Sequence, residues 1–433
     1  MRNFLLLAII MIMLFGLWSC ATAYNGAETY TVMSEEEAIE EHAQDIGEER
    51  VNQELSQSQR PAPYEKEESE VQAENDSEYD AEETISTSEE EIFISTLIEA
   101  MSTEEKISQL FILSLGSKNS GTSESLAEFV SNSAAGGFIL FTENITTVEG
   151  TRAFTDALNE HSVIAPFIAI DEEGGVVSRL RSAGLPGYTP QPTAREIGAS
   201  GDSNNAYSAG YYIGQTLNLI GVNLNFAPVA DVLTNPRSTV IGSRAFSTEP
   251  ETVAYMASAF QAGLRSQGIL SSPKHFPGHG NTADDSHFGR AIIASDIEHL
   301  RTVEFLPFER LIAEGAEFVM TGHLLVPEVS NTEIPTSLCE FFVTELLREE
   351  LGFHGIIITD AMNMGAITDE FNSAEAAVLA ILAGTDMILM PEDFEQAAYG
   401  ILQAIEAGTI SIERIEESLV RILTAKFNAG LLE

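Results

Sequence analysis

Cysteine is almost missing from the 433 residues: Cys20 and Cys339 are the only two. That excludes a disulfide-stapled scaffold. Basic residues are scarce as well, 21 Lys and Arg against 67 Asp and Glu, for a formal charge of −46. Neutralising phosphates takes clustered Lys and Arg, so nucleic acid is excluded as a partner, and so is electrostatic docking to anionic lipid. The one long apolar run, residues 4–18, falls short of the roughly 20 residues that span a bilayer. No G-x-G-x-x-G follows an early strand, which counts against a dinucleotide fold. What is present is apolar material, 44% of the chain, enough for a large core. The length allows two or three domains, or one α/β barrel of about 250 residues or more.

Arg2 before the short apolar run reads as a secretory signal. Its ending, Leu17-Trp18-Ser19-Cys20, resembles a bacterial lipobox, with Trp18 where a small residue is usual. The expectation is a leader over 1–20, lipidated at Cys20, that holds an exported chain on the outer face of the cell membrane. A plain signal peptide with secretion, or an uncleaved anchor, is the alternative. Between Met33 and Glu91 stand 22 acids against Arg50, Arg60 and Lys66, with Pro61, Pro63 and almost no apolar periodicity. Such a stretch buries too little surface to offset chain entropy, so 21–91 is expected to be a disordered, self-repelling linker. Cys339 reads as a small buried hydrophobe.

The rest, 92–433, reads as one folded domain. Ser102-Thr103-Glu104-Glu105 is a capping-box pattern that opens a helix. Eight β-type runs follow, at 111–115, 137–141, 166–171, 223–228, 268–275, 318–323, 355–360 and 386–390. They are near-continuous Ile, Leu, Val and Phe, as in parallel strands buried on both faces. Helical spacing lies between them, as at 373–383 before Gly384, and closes the chain at 411–427. Eight strands alternating with helices predict a (β/α)8 TIM barrel, with a doubly wound open sheet as the alternative.

Strong polar groups gather where these runs end: Asp171-Glu172-Glu173 with Arg179 beyond, Asp231, Lys274-His275 and His279, His323, and Asp360. In a barrel those ends converge on one face, so a lined pocket is expected there. Asp360, borne directly on a stiff run, suits a nucleophile that needs fixed geometry, or else caps the next helix or balances Lys274. Asp285 and His287 are two apart in a glycine-flanked loop, which would let the carboxylate orient the ring, unless the histidine is simply solvated. Asp171, Arg179, Lys274 and His275 can bond several sugar hydroxyls or form structural ion pairs. His275, His279, His287 and His323 with Asp171 and Asp360 raise the question of a metal. Pro277-Gly278 break any helix that would align the first two, and Lys274 would oppose a cation, so neither metal nor cofactor is expected.

Taken together, Lys274-His275-Phe276-Pro277-Gly278-His279-Gly280, four residues, then Asp285-Ser286-His287, resemble the signature of bacterial β-N-acetylhexosaminidases of glycoside hydrolase family 3. Asp171-Glu172-Glu173-Gly174-Gly175 with Arg179, Ile241-Gly242-Ser243-Arg244-Ala245-Phe246 and Thr359-Asp360-Ala361-Met362 are similar to three further stretches of that family, in the same order. The resemblance covers 92–433, without the second sandwich domain of many members. It implies a retaining hydrolase acting on terminal β-linked N-acetylglucosamine of peptidoglycan fragments or chitin-type oligosaccharides; the sequence does not fix the oligomeric state, and a monomer is the expectation. It implies Asp360 as nucleophile and His287 as acid and base with Asp285 as its partner. Asp171, Arg179, Arg244, Lys274 and His275 would hold the sugar. Glu172 stands where relatives often have Gln, and is expected to add a negative charge beside Asp171. A phosphorylase, or a carbohydrate-binding protein without catalysis, is the alternative function.

Overall fold

The structure is a computed structural model that describes residues 89–115, 123–282, 286 and 289–432. The expected leader, Cys20 and nearly all of the acidic linker lie outside the described residues. So do Asp285 and His287.

Eight parallel strands form one sheet: β1 (Phe111–Ser114), β2 (Gly137–Leu140), β3 (Phe167–Ile170), β4 (Leu224–Asn225), β5 (Leu270–Ser271), β6 (Phe318–Thr321), β7 (Ile356–Ala361) and β8 (Met387–Leu389). Seven fall inside one of the eight apolar runs, and β7 passes the end of its run by one residue, Ala361. The spatial order is β5-β4-β3-β2-β1-β8-β7-β6, so the first and last strands of the chain are neighbours in its middle. The two edges are joined as well. Met320 N donates to Pro273 O (2.9 Å), Phe276 N to Met320 O (2.8 Å) and Gly322 N to Phe276 O (2.8 Å). The sheet therefore nearly closes into a barrel, and an open doubly wound sheet is ruled out. β4 and β5 are much shorter than their apolar runs. Pro228 and Pro273 there have no N–H to give to a neighbouring strand.

Helices follow the strands in turn and are started by local bonds. Ser102, Thr193 and Asn372 each complete a capping box with the glutamate three residues on. The barrel wall is fully buried: Phe111, Phe138, Phe167, Phe318 and Ile357 are each 0% exposed. The rings of Phe167 and Phe318 meet edge to face at 5.1 Å. Cys339 is buried, as its reading as a small hydrophobe requires.

The N-terminal strand ends carry two polar pins. Asp386, 0% exposed, accepts from Arg348 (2.6 Å), Arg421 (2.9 Å), Ser418 Oγ (2.7 Å) and Ile357 N (2.9 Å). One carboxylate thus ties the start of β8 to β7 and to the helix Ile412–Asn428. The second pin is Lys426 on that same helix. Its Nζ donates to Gln109 Oε1 (2.9 Å) and lies 5.2 Å from the centroid of the Phe167 ring. No carboxylate is among these contacts, and burial pushes the amine down to about 7.

An unfolded lysine titrates near 10.5. Between about 7 and that value the unfolded chain holds a proton that the folded chain lacks, so this group makes stability rise with pH across that window. Lys426→Met is expected to melt several degrees higher than the parent at pH 7, with the gap closing towards pH 10. Thermal unfolding at several pH values checks this, and parallel pH curves for the two proteins would refute it.

Candidate active site

The C-terminal ends of the strands carry a network of paired charges. As the chain leaves β3, Asn225 of β4 grips the Glu172 peptide on both sides, accepting from its N–H and donating to its carbonyl, both at 2.9 Å. Around this fixed peptide the side chains alternate. Asp171 and Glu173 point to one side, where Lys274 Nζ bridges them at 2.6 and 2.9 Å. Arg179 adds a 3.3 Å contact to Asp171 and lies over the Phe141 ring at 5.2 Å. Arg244, at the end of the turn Gly242–Arg244, holds Glu173 with two parallel bonds of 2.9 and 2.8 Å.

Lys274 is 2% exposed, and burial pulls its pKa down. Asp171 and Glu173 reverse that and push its pKa up. Burial would likewise protonate Glu173, but Arg244 and Lys274 hold it well below the usual carboxylate range. The cluster is charged because each member is paired.

Glu172 faces the other way, which corrects the expectation of a second charge beside Asp171. Its carboxyl is 0% exposed, accepts from Leu180 N (3.0 Å) and Tyr188 Oη (2.9 Å), and is pushed up to about 7 by burial. Bonds from Ser178, Leu180 and Tyr188 oppose the shift without cancelling it.

Asp231, beyond β4 and 0% exposed, accepts from three groups of the following loop. These are His275 N (3.1 Å), His275 Nδ1 (2.8 Å) and His279 N (2.7 Å). A carboxylate only accepts, which assigns the proton of the His275 ring to Nδ1. Nε2 of His275 then lies 3.4 Å from Arg244 Nη2. Asp360 sits at the end of β7, half-buried, its Oδ1 accepting from Ala361 N (2.8 Å). Burial would raise its pKa. The His275 and His323 rings when protonated, the Ala361 N–H and Lys274 outweigh that and hold it at about 2. His323 Nε2 donates to Ala361 O (3.1 Å) and its Nδ1 meets Ser337 Oγ (2.7 Å), which locks the backbone beside Asp360.

The structure thus brings Asp171, Arg179, Arg244, Lys274, His275 and Asp360 to one face. Asp285 and His287 lie outside the described residues. Glu173, Asp231 and His323 were not singled out in the sequence for the parts they play here. A small recess is lined by Glu173, Arg244, Thr193, Pro228, Phe246 and Phe260 among others. Asp360 and Lys274 are not in its lining. Among the described residues no group of three or more His, Cys, Asp or Glu is arranged to hold a metal ion.

Residues 102–425 match the family described as the glycosyl hydrolase family 3 N terminal domain. The chain belongs to glycosyl hydrolase family 3. It is 34% identical over 329 residues to β-hexosaminidase A of Pseudoalteromonas piscicida, covering 70% of this chain and 54% of that one. It is 33% identical over 335 residues to the β-hexosaminidase LpqI of Mycobacterium tuberculosis, covering 75% and 83%. In fold it is similar to a family 3 β-N-acetylglucosaminidase from Paenibacillus sp. str. FPU-7. There the TM-score is 0.72 at 34% identity, covering 77% of this chain and 63% of that one. The chain therefore spans about half the length of the Pseudoalteromonas relative.

Glu172 gives this site a test. Between about 4.5 and 7 the folded chain keeps a proton on Glu172 that the unfolded chain has lost, so stability falls as pH rises through that window. The effect is on the order of 3 kcal/mol at most. Glu172→Gln, isosteric and uncharged, is expected to match the parent near pH 4.5 and to melt a few degrees higher at pH 8. Equal melting points at both pH values would show that the carboxyl ionises freely in the fold.

Proposed function

We propose that the chain is a retaining exo-β-N-acetylhexosaminidase that removes terminal β-linked N-acetylglucosamine from peptidoglycan fragments or chitin-type oligosaccharides. The observation that carries this reading is the position of the Asp360 carboxylate, whose pKa the groups around it hold low. It is fixed on a strand end and faces paired cations and carboxylates, in a chain whose relatives include β-hexosaminidases.

Asp360 attacks the anomeric carbon, the bond to the leaving oxygen breaks, and a glycosyl-aspartate forms. His287, with Asp285 as its partner, gives its proton to the leaving oxygen and then takes one from the water that hydrolyses the intermediate. An unperturbed imidazole titrates near 6.5, so it can serve in both directions close to neutrality. Asp171, Arg179, Arg244, Lys274 and His275 hold the sugar ring. Their mutual pairing means that the site is pre-ordered before substrate arrives, so less ordering is left for the transition state. Asp360, its pKa held below the usual carboxylate value, is a carboxylate throughout the neutral range. The pH dependence of turnover around neutrality then reports the proton donor and not the nucleophile.

Purified protein is expected to cleave a chromogenic β-N-acetylglucosaminide roughly 100-fold or more faster than the matching β-glucoside. It is expected to release free N-acetylglucosamine whether or not phosphate is present. A preference for the plain glucoside would overturn the N-acetyl assignment, and a phosphate-dependent sugar 1-phosphate product would overturn hydrolysis.

A further inference from the structure

Asp231 is fully buried and has no part in the proposed reaction. Its two oxygens have different partners. Oδ1 accepts from His275 N (3.1 Å) and His279 N (2.7 Å), which by itself holds the turn between them. Oδ2 is left for the His275 ring, 2.8 Å from Nδ1. The backbone on either side is fixed as well: Ala230 N donates to Lys274 O (2.7 Å) and Lys274 N to Pro228 O (3.1 Å). At the other end of the same ring, Nε2 lies 3.4 Å from Arg244 Nη2. A carboxylate only accepts, and a guanidinium only donates. The ring therefore stands between two unlike partners. The one at Nδ1 needs a hydrogen there, and the one at Nε2 needs a lone pair.

The ring is thus a middle link in a chain, Asp231–His275–Arg244–Glu173, that joins the segments following β4, β5 and β3. A guanidinium has five N–H donors in one rigid plane. In Arg244, Nε and one hydrogen of Nη2 go to Glu173, one of Nη1 goes to Val240 O (3.0 Å), and the second of Nη2 faces His275. Among the described residues this leaves one N–H, on Nη1, for a ligand. Its aim depends on the other bonds of the same plane. A hydrogen on His275 Nε2 would set two donors against each other there. We propose that Asp231 is a positioning residue: it keeps the His275 hydrogen on Nδ1, so that the ring accepts from Arg244 and holds the guanidinium in its sugar-binding orientation. This rests on the reading of Arg244 and His275 as groups that hold the sugar.

Asp231→Asn discriminates, because it keeps the shape of the side chain. With the amide oxygen still accepting from His275 N and His279 N, the amide nitrogen faces Nδ1 and donates, which forces the ring hydrogen to Nε2. Turning the amide over would restore the ring bond at the loss of both backbone bonds. The first readout is nitrogen NMR of protein with isotope-labelled histidine, the His275 signals being those lost in His275→Ala. It needs no substrate. The parent is expected to carry the hydrogen on Nδ1 and Asp231→Asn on Nε2. A parent ring with a hydrogen on Nε2 would overturn the proposal. The second readout is turnover of the chromogenic β-N-acetylglucosaminide, each protein being assayed below its own melting transition. Asp231→Asn is expected to lower kcat/KM roughly 10- to 100-fold, mostly as a higher KM, since the displaced groups hold the sugar in ground and transition states alike. In a His275→Ala background the same change should cost no more than about twofold further. A switched ring with kcat/KM within about twofold of the parent, or losses that multiply in the double variant, would overturn the positioning role. If the parent cleaves no β-N-acetylglucosaminide, the proposed function fails, and the ring readout still decides whether Asp231 sets the tautomer.

Discussion

The site depends on one buried ammonium. Lys274 lies between Asp171 and Glu173, which come from the loop after β3, while its own backbone continues β5. A buried charge is costly unless neighbouring charges compensate it, and removing one partner leaves the others exposed to that cost. Each member of the cluster is therefore committed by the rest: Glu173 needs Arg244 as well as Lys274, and Asp171 is shared with Arg179. Three separate βα loops are held in register by this exchange. Asp360 completes the face from the opposite wall, its pKa held low by His275 and His323, the Ala361 N–H and, from this cluster, Lys274.

A division of labour runs along the barrel axis. At the N-terminal ends, Asp386 collects arginines and a serine from the outer elements and fixes the frame, while Lys426 sits buried with an amide and a ring as partners. These groups are part of the fold, and Asp386 and Lys426 are themselves 0% exposed. At the C-terminal ends the pairs are only partly covered: the side chains of Asp171 and Arg179 keep 19% and 30% exposure, enough to meet a ligand.

Much of this could be read in the sequence, because the signal was local. All eight strands appear as apolar runs, and Asp171, Lys274, His275 and Asp360 stand at their ends. The period-two alternation of extended backbone also carried the correct face of each acid after β3. Asp171 and Glu173 share a side and Glu172 takes the other, so a strict reading would have found Glu173 and removed Glu172 from the site. The pairings themselves could not be read. Glu173 meets Arg244 across 71 residues and Asp171 meets Lys274 across 103, separations that only the closing of the barrel brings together. Asp231 was visible as a strand-end acid. Its hold on two histidines depends on the turn from His275 to His279, which no local pattern specifies. The shortness of β4 and β5 could have been anticipated from their prolines.

The central claim is that this arrangement of charges leaves Asp360 an ionised carboxylate aimed at a sugar's anomeric carbon. The most direct measurement is to incubate the protein with a fluorinated β-N-acetylglucosaminide analogue that forms but does not release the intermediate, then to map the adduct by peptide mass spectrometry. The account predicts a single glycosyl label on the peptide that carries Asp360, absent in Asp360→Asn. A label on another carboxylate, or turnover with no covalent adduct at all, would contradict it.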